Sequence, residues 1–374
     1  MNSKFYVIIF FFLPTLLFAQ SHHVNVAVSS FVDTSNGEIN SVIKLWESYL
    51  NSKPDSNYTN PYWVKSEQDH YHPFDLVGHA WWNPSLYFYM KYFKIQVLSV
   101  SKYRDVFIIR TMFYISSPKD SCQLQMKSII QTAAQFENGS YKLCNILPIN
   151  TRFWQKEEVG SVRFVFPPDH VFNRSLAEQM SGFIDSLASF WQLKTFPTEY
   201  YFSDDDRAFK ALGFDYWLVE ENIIGGWTDT VNHIVYAKGS NEWYPHEFVH
   251  IYINPLFPNA NDYFLEGYAT LMGGSAGHDL LWHIRRNFEY LKDHPEIDVL
   301  SFKGVDKFVP AQYFIGGLLC KMAEEQGGLP LLKKLMSYGN KDEDLYRAIH
   351  DVFGVSKDDV NKFLRTKLEE FAKK

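Results

Sequence analysis

Residues 241–250 read Asn-Glu-Trp-Tyr-Pro-His-Glu-Phe-Val-His, and they constrain the chain more than any other segment. Four residues of α-helix turn through about 400°. His246 and His250 therefore stand one above the other on one face, spaced for two imidazoles to share a single ion. Glu247 lies about 100° round the helix from His246, within reach of a water on such an ion without binding the ion itself. Phe248, Val249, Ile251, Tyr252 and Ile253 surround the rest of the helix with bulk, which predicts burial. Buried imidazoles need partners for their nitrogens, and a zinc ion with acceptors behind the rings supplies them. With 13 His in the chain, His-Glu-x-x-His arises by chance in about one such sequence in forty, so the downstream context decides its meaning.

Asn254-Pro255 stops the helix, a loop runs through residues 256–260, and Asn261 or Asp262 can cap a second helix beginning Tyr263-Phe264-Leu265-Glu266-Gly267-Tyr268-Ala269. Glu266 falls in its first turn, enough chain beyond His250 to fold back and bring a carboxylate to the imidazoles. Two His and one Glu with a fourth position left to water is a catalytic rather than a structural zinc set, since closed structural sites favour thiolates.

The pairing of His-Glu-x-x-His with Glu-Gly-x-Ala on the following helix resembles the gluzincin metallopeptidases, and within them the peptidase MA-like group of exported bacterial proteins. The motifs span about 35 residues, with looser similarity from Val162 to the C-terminus. The resemblance implies a zincin-like domain with His246, His250 and Glu266 as Zn2+ ligands and Glu247 as general base. The reaction implied is hydrolysis of a polypeptide substrate, Glu247 taking a proton from water and returning it to the leaving nitrogen. The family often carries an acidic residue four positions after the third ligand; here Thr270 stands there, leaving open what accepts a hydrogen bond from the ligand imidazoles. Tyr313, after Pro310, corresponds in order to a tyrosine that steadies the oxyanion in many gluzincins; equally it reads as one ordinary Tyr among 23. His278 is a rival donor. The strand expected at 232–237 reads either as a cleft edge to which a peptide adds or as an interior strand.

Lys4 followed by the apolar run Phe5–Phe18 and then Ala19-Gln20-Ser21 reads as a secretory signal peptide, residues 1–19, too short for a permanent span. The expectation is an exported protein, periplasmic or secreted, without stable membrane insertion after cleavage. A net charge of −7 argues against a nucleic-acid partner. Cys122, Cys144 and Cys320 are too few for a disulfide scaffold. Cys122 and Cys144 fall at opposite ends of one expected hairpin, beyond bridging distance.

The chain is expected to be α+β, with an accessory unit at 22–155 and the zincin-like unit at 160–374. Apolar residues at spacings of three and four predict a helix over 37–52. Residues 58–82, rich in aromatics and His, read as an ordered loop. Strand patterns follow at 92–100, 106–115, 124–136 and 141–147, the last two joined by a turn at Glu137-Asn138-Gly139-Ser140. One helix over an antiparallel curved sheet resembles the nuclear transport factor two-like fold in topology. The second unit reads as strands at 162–166, 198–202 and 232–237 and helices at 172–191 and 204–212, then as helices to the end. Among remaining clusters, His70, His72 and His79 with Asp69 read as a solvated loop, Asp204–Asp206 as helix-capping carboxylates, and Trp63, Trp81 and Trp82 as core fillers or an aromatic platform. Against the peptidase stands a second reading, a catalytically silent binding protein that keeps the fold.

Overall fold

The computed structural model describes residues 23–52, 60–68, 93–116, 124–217, 225–305 and 309–374. The signal segment, Cys122, Trp81, Trp82 and the His70–His79 cluster lie outside them. Among the described residues no helix is long and apolar enough to cross a membrane.

The architecture is α+β, built on two sheets. The first helix, α1 (Gly37–Leu50), is capped by the Asn36 side chain and buries Val42, Ile43, Trp46, Tyr49 and Leu50, the stripe its spacing predicts. It lies against a meander of β2 (Lys94–Tyr103), β3 (Val106–Ser116), β4 (Leu124–Glu137) and β5 (Ser140–Cys144). The β4–β5 turn has positive φ at both Asn138 and Gly139, as a two-residue hairpin loop requires. The sheet is mixed rather than wholly antiparallel, because a short β1 (Val26–Val28) pairs parallel with β2. Trp63 is buried and bridges to Leu143, so it fills the core and forms no platform. Cys144 and Cys320 are buried free thiols.

The second sheet runs β10–β11–β8–β7–β6. Here β7 (Val162–Phe166) and β8 (Thr198–Phe202) match the predicted strands, while β6 (Gln155–Val159) carries no predicted pattern. It is an edge strand of Gln, Lys and Glu, so no apolar alternation announces it. Strand β9 (Phe214–Trp217), which also carries no predicted pattern, leaves this half of the chain to pair with β4. Val165, Tyr201, Phe209, Ile234 and Tyr236 pack into the same core as α1.

Strand β11 (Ile234–Ala237) is interior, bonded antiparallel to β10 (Gly226–Asp229) and parallel to β8. Among the described residues the edge is therefore β10, which carries no predicted strand pattern. Between β7 and β8 runs α2 (Arg174–Trp191), whose buried Ala177, Met180, Ile184, Leu187, Ala188 and Trp191 cover one face of the sheet. After β8 comes the short α3 (Arg207–Leu212), where Asp205 accepts from the backbone N–H and the guanidinium of Arg207. The C-terminal half is helical: α4 (Pro245–Ile253), α5 (Asp262–Gly273), α6 (Leu280–Leu291), α7 (Ala311–Met336, broken at Gly328), α8 (Asp342–Phe353) and α9 (Val360–Ala372).

Glu67, in a single helical turn beside β5, accepts the Asn145 backbone N–H at 2.6 Å. Burial pushes its carboxyl up from an ordinary 4.5 to about 7. The folded chain then holds a proton that the unfolded chain has released, so Glu67 erodes stability as pH rises from about 4.5 through about 7. Thermal melts at pH 5 and pH 8 should show Glu67→Gln losing less stability than wild type over that interval; equal losses contradict the assignment.

Candidate metal centre

Helix α4 starts with Pro245, whose missing N–H is tolerated at a first helical position, and is walled by buried Phe248, Val249, Ile251, Tyr252 and Ile253. Its polar face carries the two histidines. His246 Nε2 and His250 Nε2 are 3.3 Å apart. Glu266 Oε2 lies 3.4 Å from the first and 3.5 Å from the second. A tetrahedral zinc about 2.05 Å from each donor requires donors about 3.4 Å apart, so the three atoms already span one face of that tetrahedron.

The second nitrogen of each ring is also occupied. His246 Nδ1 donates to the Gly274 carbonyl at 2.6 Å, and His250 Nδ1 to Asn254 Oδ1 at 3.2 Å. A carbonyl oxygen only accepts, so in the neutral ring the proton sits on Nδ1 and the Nε2 lone pair faces the centre, the tautomer a metal needs. Gly274 and Asn254 thus supply the acceptors for the two rings that the sequence had left open. The Thr270 hydroxyl instead donates to the Glu266 backbone carbonyl, inside its own helix.

Glu266 comes from α5, which Asn261 caps by accepting the Tyr263 N–H. Two close approaches hold α5 in place. A Cβ on Gly267 would stand 2.2 Å from the Gly316 carbonyl carbon of α7, and one on Gly316 would stand 1.7 Å from the Tyr263 oxygen. A Cβ on Gly273 would stand 2.4 Å from the His246 nitrogen. Glycine is thus required where α5 crosses α7 and where it meets the start of α4. From the other side, buried Trp191 of α2 donates to the Tyr268 hydroxyl at 2.8 Å.

Glu247 is buried. The Thr228 hydroxyl of β10 lies 2.7 Å from Glu247 Oε2 and 3.1 Å from the Glu247 carbonyl. Tyr313, near the start of α7, stacks on His246 at 6.0 Å between centroids. Burial, and after it Glu266 and Glu247, push its phenol well above the ordinary range. His278 is elsewhere, exposed and stacked on Trp282 at 3.7 Å. Of the residues expected at the site, His246, Glu247, His250, Glu266 and Tyr313 come together and His278 does not. Thr228, Tyr244, Asn254 and Gly274 complete it unforeseen; only Asn254, one turn after His250, left a readable spacing.

Electrostatics compensate the packing. Burial opposes charge on His250, yet the Glu266 carboxylate beside it overrides this and raises its pKa to about 9. Burial likewise opposes charge on Glu266, and His250 and His246 nevertheless hold its carboxyl far below the ordinary range. In the metal-free chain the cluster is a buried ion pair.

No known protein family matches the chain in sequence, and no curated protein does. Among solved structures it is similar to the M1 zinc metallopeptidase from Deinococcus radiodurans, at 8% identity and TM-score 0.32 over 75% of this chain and 63% of that one. A mutant of the same enzyme matches at 8% identity and TM-score 0.31, over 75% and 64%. The chain thus spans less than two thirds of the structures it matches.

Two outcomes follow from the geometry. Gly267→Ala should cost about 1–3 kcal/mol of stability by overpacking and lower zinc content, whereas Gly182→Ala, with nothing within 4 Å of the added carbon, should leave zinc content unchanged. Zinc titrated at pH 7 should displace about one proton per ion, seen as a buffer-dependent binding enthalpy, and its affinity should rise about tenfold from pH 7 to pH 8. Binding without proton release contradicts the protonated His250–Glu266 pair.

Proposed function

We propose that this chain is an exported zinc-dependent metallopeptidase, with a zincin-like catalytic half and a nuclear transport factor two-like accessory half. The observation that carries the reading is the convergence of three donor atoms 3.3–3.5 Å apart, with Glu247 on the same helix as the histidines and its carboxylate bonded by Thr228. His246, His250 and Glu266 are the residues that would hold zinc. When bound, the ion supplies an acidified water and a polarised carbonyl.

The chain's own residues supply the remainder. Glu247 accepts a proton from the attacking water and delivers it to the leaving nitrogen. The Thr228 hydroxyl fixes the rotamer of that carboxylate, so that it faces the nucleophile without becoming a ligand. Strand β10 presents an edge beside the same carboxylate, and a peptide that adds to it as a further strand gains backbone hydrogen bonds and a set direction past Glu247. The interior position of β11 leaves that role to β10. Tyr313, stacked on His246, is the donor that steadies the oxyanion.

Purified full-length protein and Glu247→Gln should each hold about one zinc. Wild type should cleave members of a diverse peptide library, and the variant should lose at least about a hundredfold in kcat/KM. Equal cleavage by both refutes the assignment of the base. Stoichiometric zinc with no cleavage by wild type leaves instead the binding protein that keeps the fold.

A further inference from the structure

The two acceptors behind the ligand rings are held in different ways. Asn254 ends the helix that carries His250, whereas the Gly274 carbonyl belongs to a short loop leaving α5. One planar peptide unit joins that carbonyl to the Ser275 N–H, so the direction of one fixes the direction of the other. The Ser275 N–H donates to the His278 carbonyl at 2.9 Å, and the His278 N–H returns a bond to the Ser275 carbonyl at 3.0 Å. These two bonds close a hairpin over Ala276 and Gly277, both at positive φ, as a two-residue loop requires. An alanine held at positive φ is strained and persists only where its surroundings fix it.

Helix α6 provides the fixing group. His283 is buried, and its Nε2 lies 2.8 Å from the Ser275 carbonyl oxygen. A carbonyl only accepts, so the ring proton sits on Nε2, and the two lone pairs of that oxygen serve His283 and the His278 N–H together. The histidine is anchored in turn. Asp279 caps α6 by accepting the Trp282 N–H at 2.7 Å. Buried Asn287 donates to the His283 carbonyl at 2.8 Å and accepts the Val305 N–H at 3.1 Å. A continuous path of bonds thus runs from α6 through Ser275 to the Gly274 carbonyl, which accepts His246 Nδ1 at 2.6 Å.

Resting on the assignment of His246 as a zinc ligand in the peptidase reading above, we propose that His283 is a positioning residue for the metal centre. By pinning the 275–278 hairpin to α6 it aims the Gly274 carbonyl at His246, and so holds that imidazole in the orientation and tautomer a zinc ion needs. His283 itself touches neither ion nor substrate. Removing a partner behind a ligating imidazole ordinarily costs about 10–100-fold in metal affinity, and His283, one peptide unit further out, belongs at the lower end of that range.

The test uses the full chain as wild type, as His283→Leu, which keeps apolar bulk and loses the donor, and as His283→Gln, whose amide nitrogen reaches the place of Nε2. Each is measured for zinc affinity by competition with a chelator and for the visible spectrum of its Co2+-loaded form. His283→Leu should bind zinc about tenfold more weakly and shift the Co2+ spectrum, while His283→Gln stays within about twofold of wild type and keeps the spectrum. A merely structural role lowers the melting temperature and moves neither reading in the folded chain. Wild-type affinity and spectrum in His283→Leu overturn the proposal, as does an equal loss in His283→Gln. If His283→Leu does not fold, His283→Asn, whose amide stops short of the Ser275 carbonyl, is judged by the same criteria. Neither reading depends on cleavage: wild type that holds zinc and cuts no peptide ends the peptidase reading alone, whereas wild type that binds no zinc overturns both.

Discussion

Two imidazole nitrogens 3.3 Å apart, each with its lone pair turned inward, form an arrangement that only a positive charge between them stabilises. The architecture of the C-terminal half follows from building and shielding that arrangement. Behind each ring an acceptor fixes the tautomer, one a backbone carbonyl 28 residues away and the other a side chain one turn along the same helix. In front, Glu266 supplies the negative partner. Without a metal the cluster falls back on a proton, which the raised pKa of His250 and the depressed one of Glu266 express. The same three groups are thus electrically satisfied in two states, one protonated and one metallated, and a buried site can survive loss of its ion without exposing an unpaired charge.

Positioning Glu266 is the harder structural problem, because it belongs to a different helix from the histidines. Side chains of ordinary size would hold α5 and α7 at 8–10 Å between axes. Gly267, Gly316 and Gly317 remove side chains at the crossing, and Gly273 removes one where α5 meets the start of α4. The carboxylate is therefore placed by backbone-to-backbone contact, which has little freedom to relax. The glycine of Glu-Gly-x-Ala thereby acquires a physical meaning: it is the residue that lets the helix carrying the acid approach the helix carrying Tyr313.

What could be read from the sequence divides along physical lines. Periodicity within one element revealed α1, the long meander β2–β5, β7, β8 and α4, because each buries a continuous face. The ligand set was legible because two of its members share a helix face and the third follows early in the next helix, in its second turn rather than the expected first because that helix begins at Asp262. Strands β1, β6, β9 and β10 were not, since each has three to five residues and owes its existence to a neighbour's free edge. The Thr228–Glu247 bond was hidden for the same reason: it joins residues 19 apart through a sheet edge that no local pattern announces. Tyr313 was singled out by its order along the chain in the resemblance and by no local pattern, and its stacking on His246 depends on the glycine crossing.

The edge strand joins these threads. A peptide can add only to an edge, so the strand beside the base must be the last of its sheet, and among the described residues β10 is, bonded to β11 on one side alone. A strand so placed cannot crowd the helix that carries the base. It is therefore entered through two glycines, Gly225 and Gly226, and the volume they release is taken by the ring of Tyr244. Its second residue, Trp227, turns to the opposite face and stacks on Tyr236 at 5.5 Å, fastening the edge to the sheet interior. Its third, Thr228, returns to the helix side to hold Glu247. Alternation along a single short strand thus assigns one residue to anchoring and its two neighbours to the site. A one-residue slip in register would exchange those duties, so the pairing of Trp227 with Tyr236 fixes where the carboxylate points.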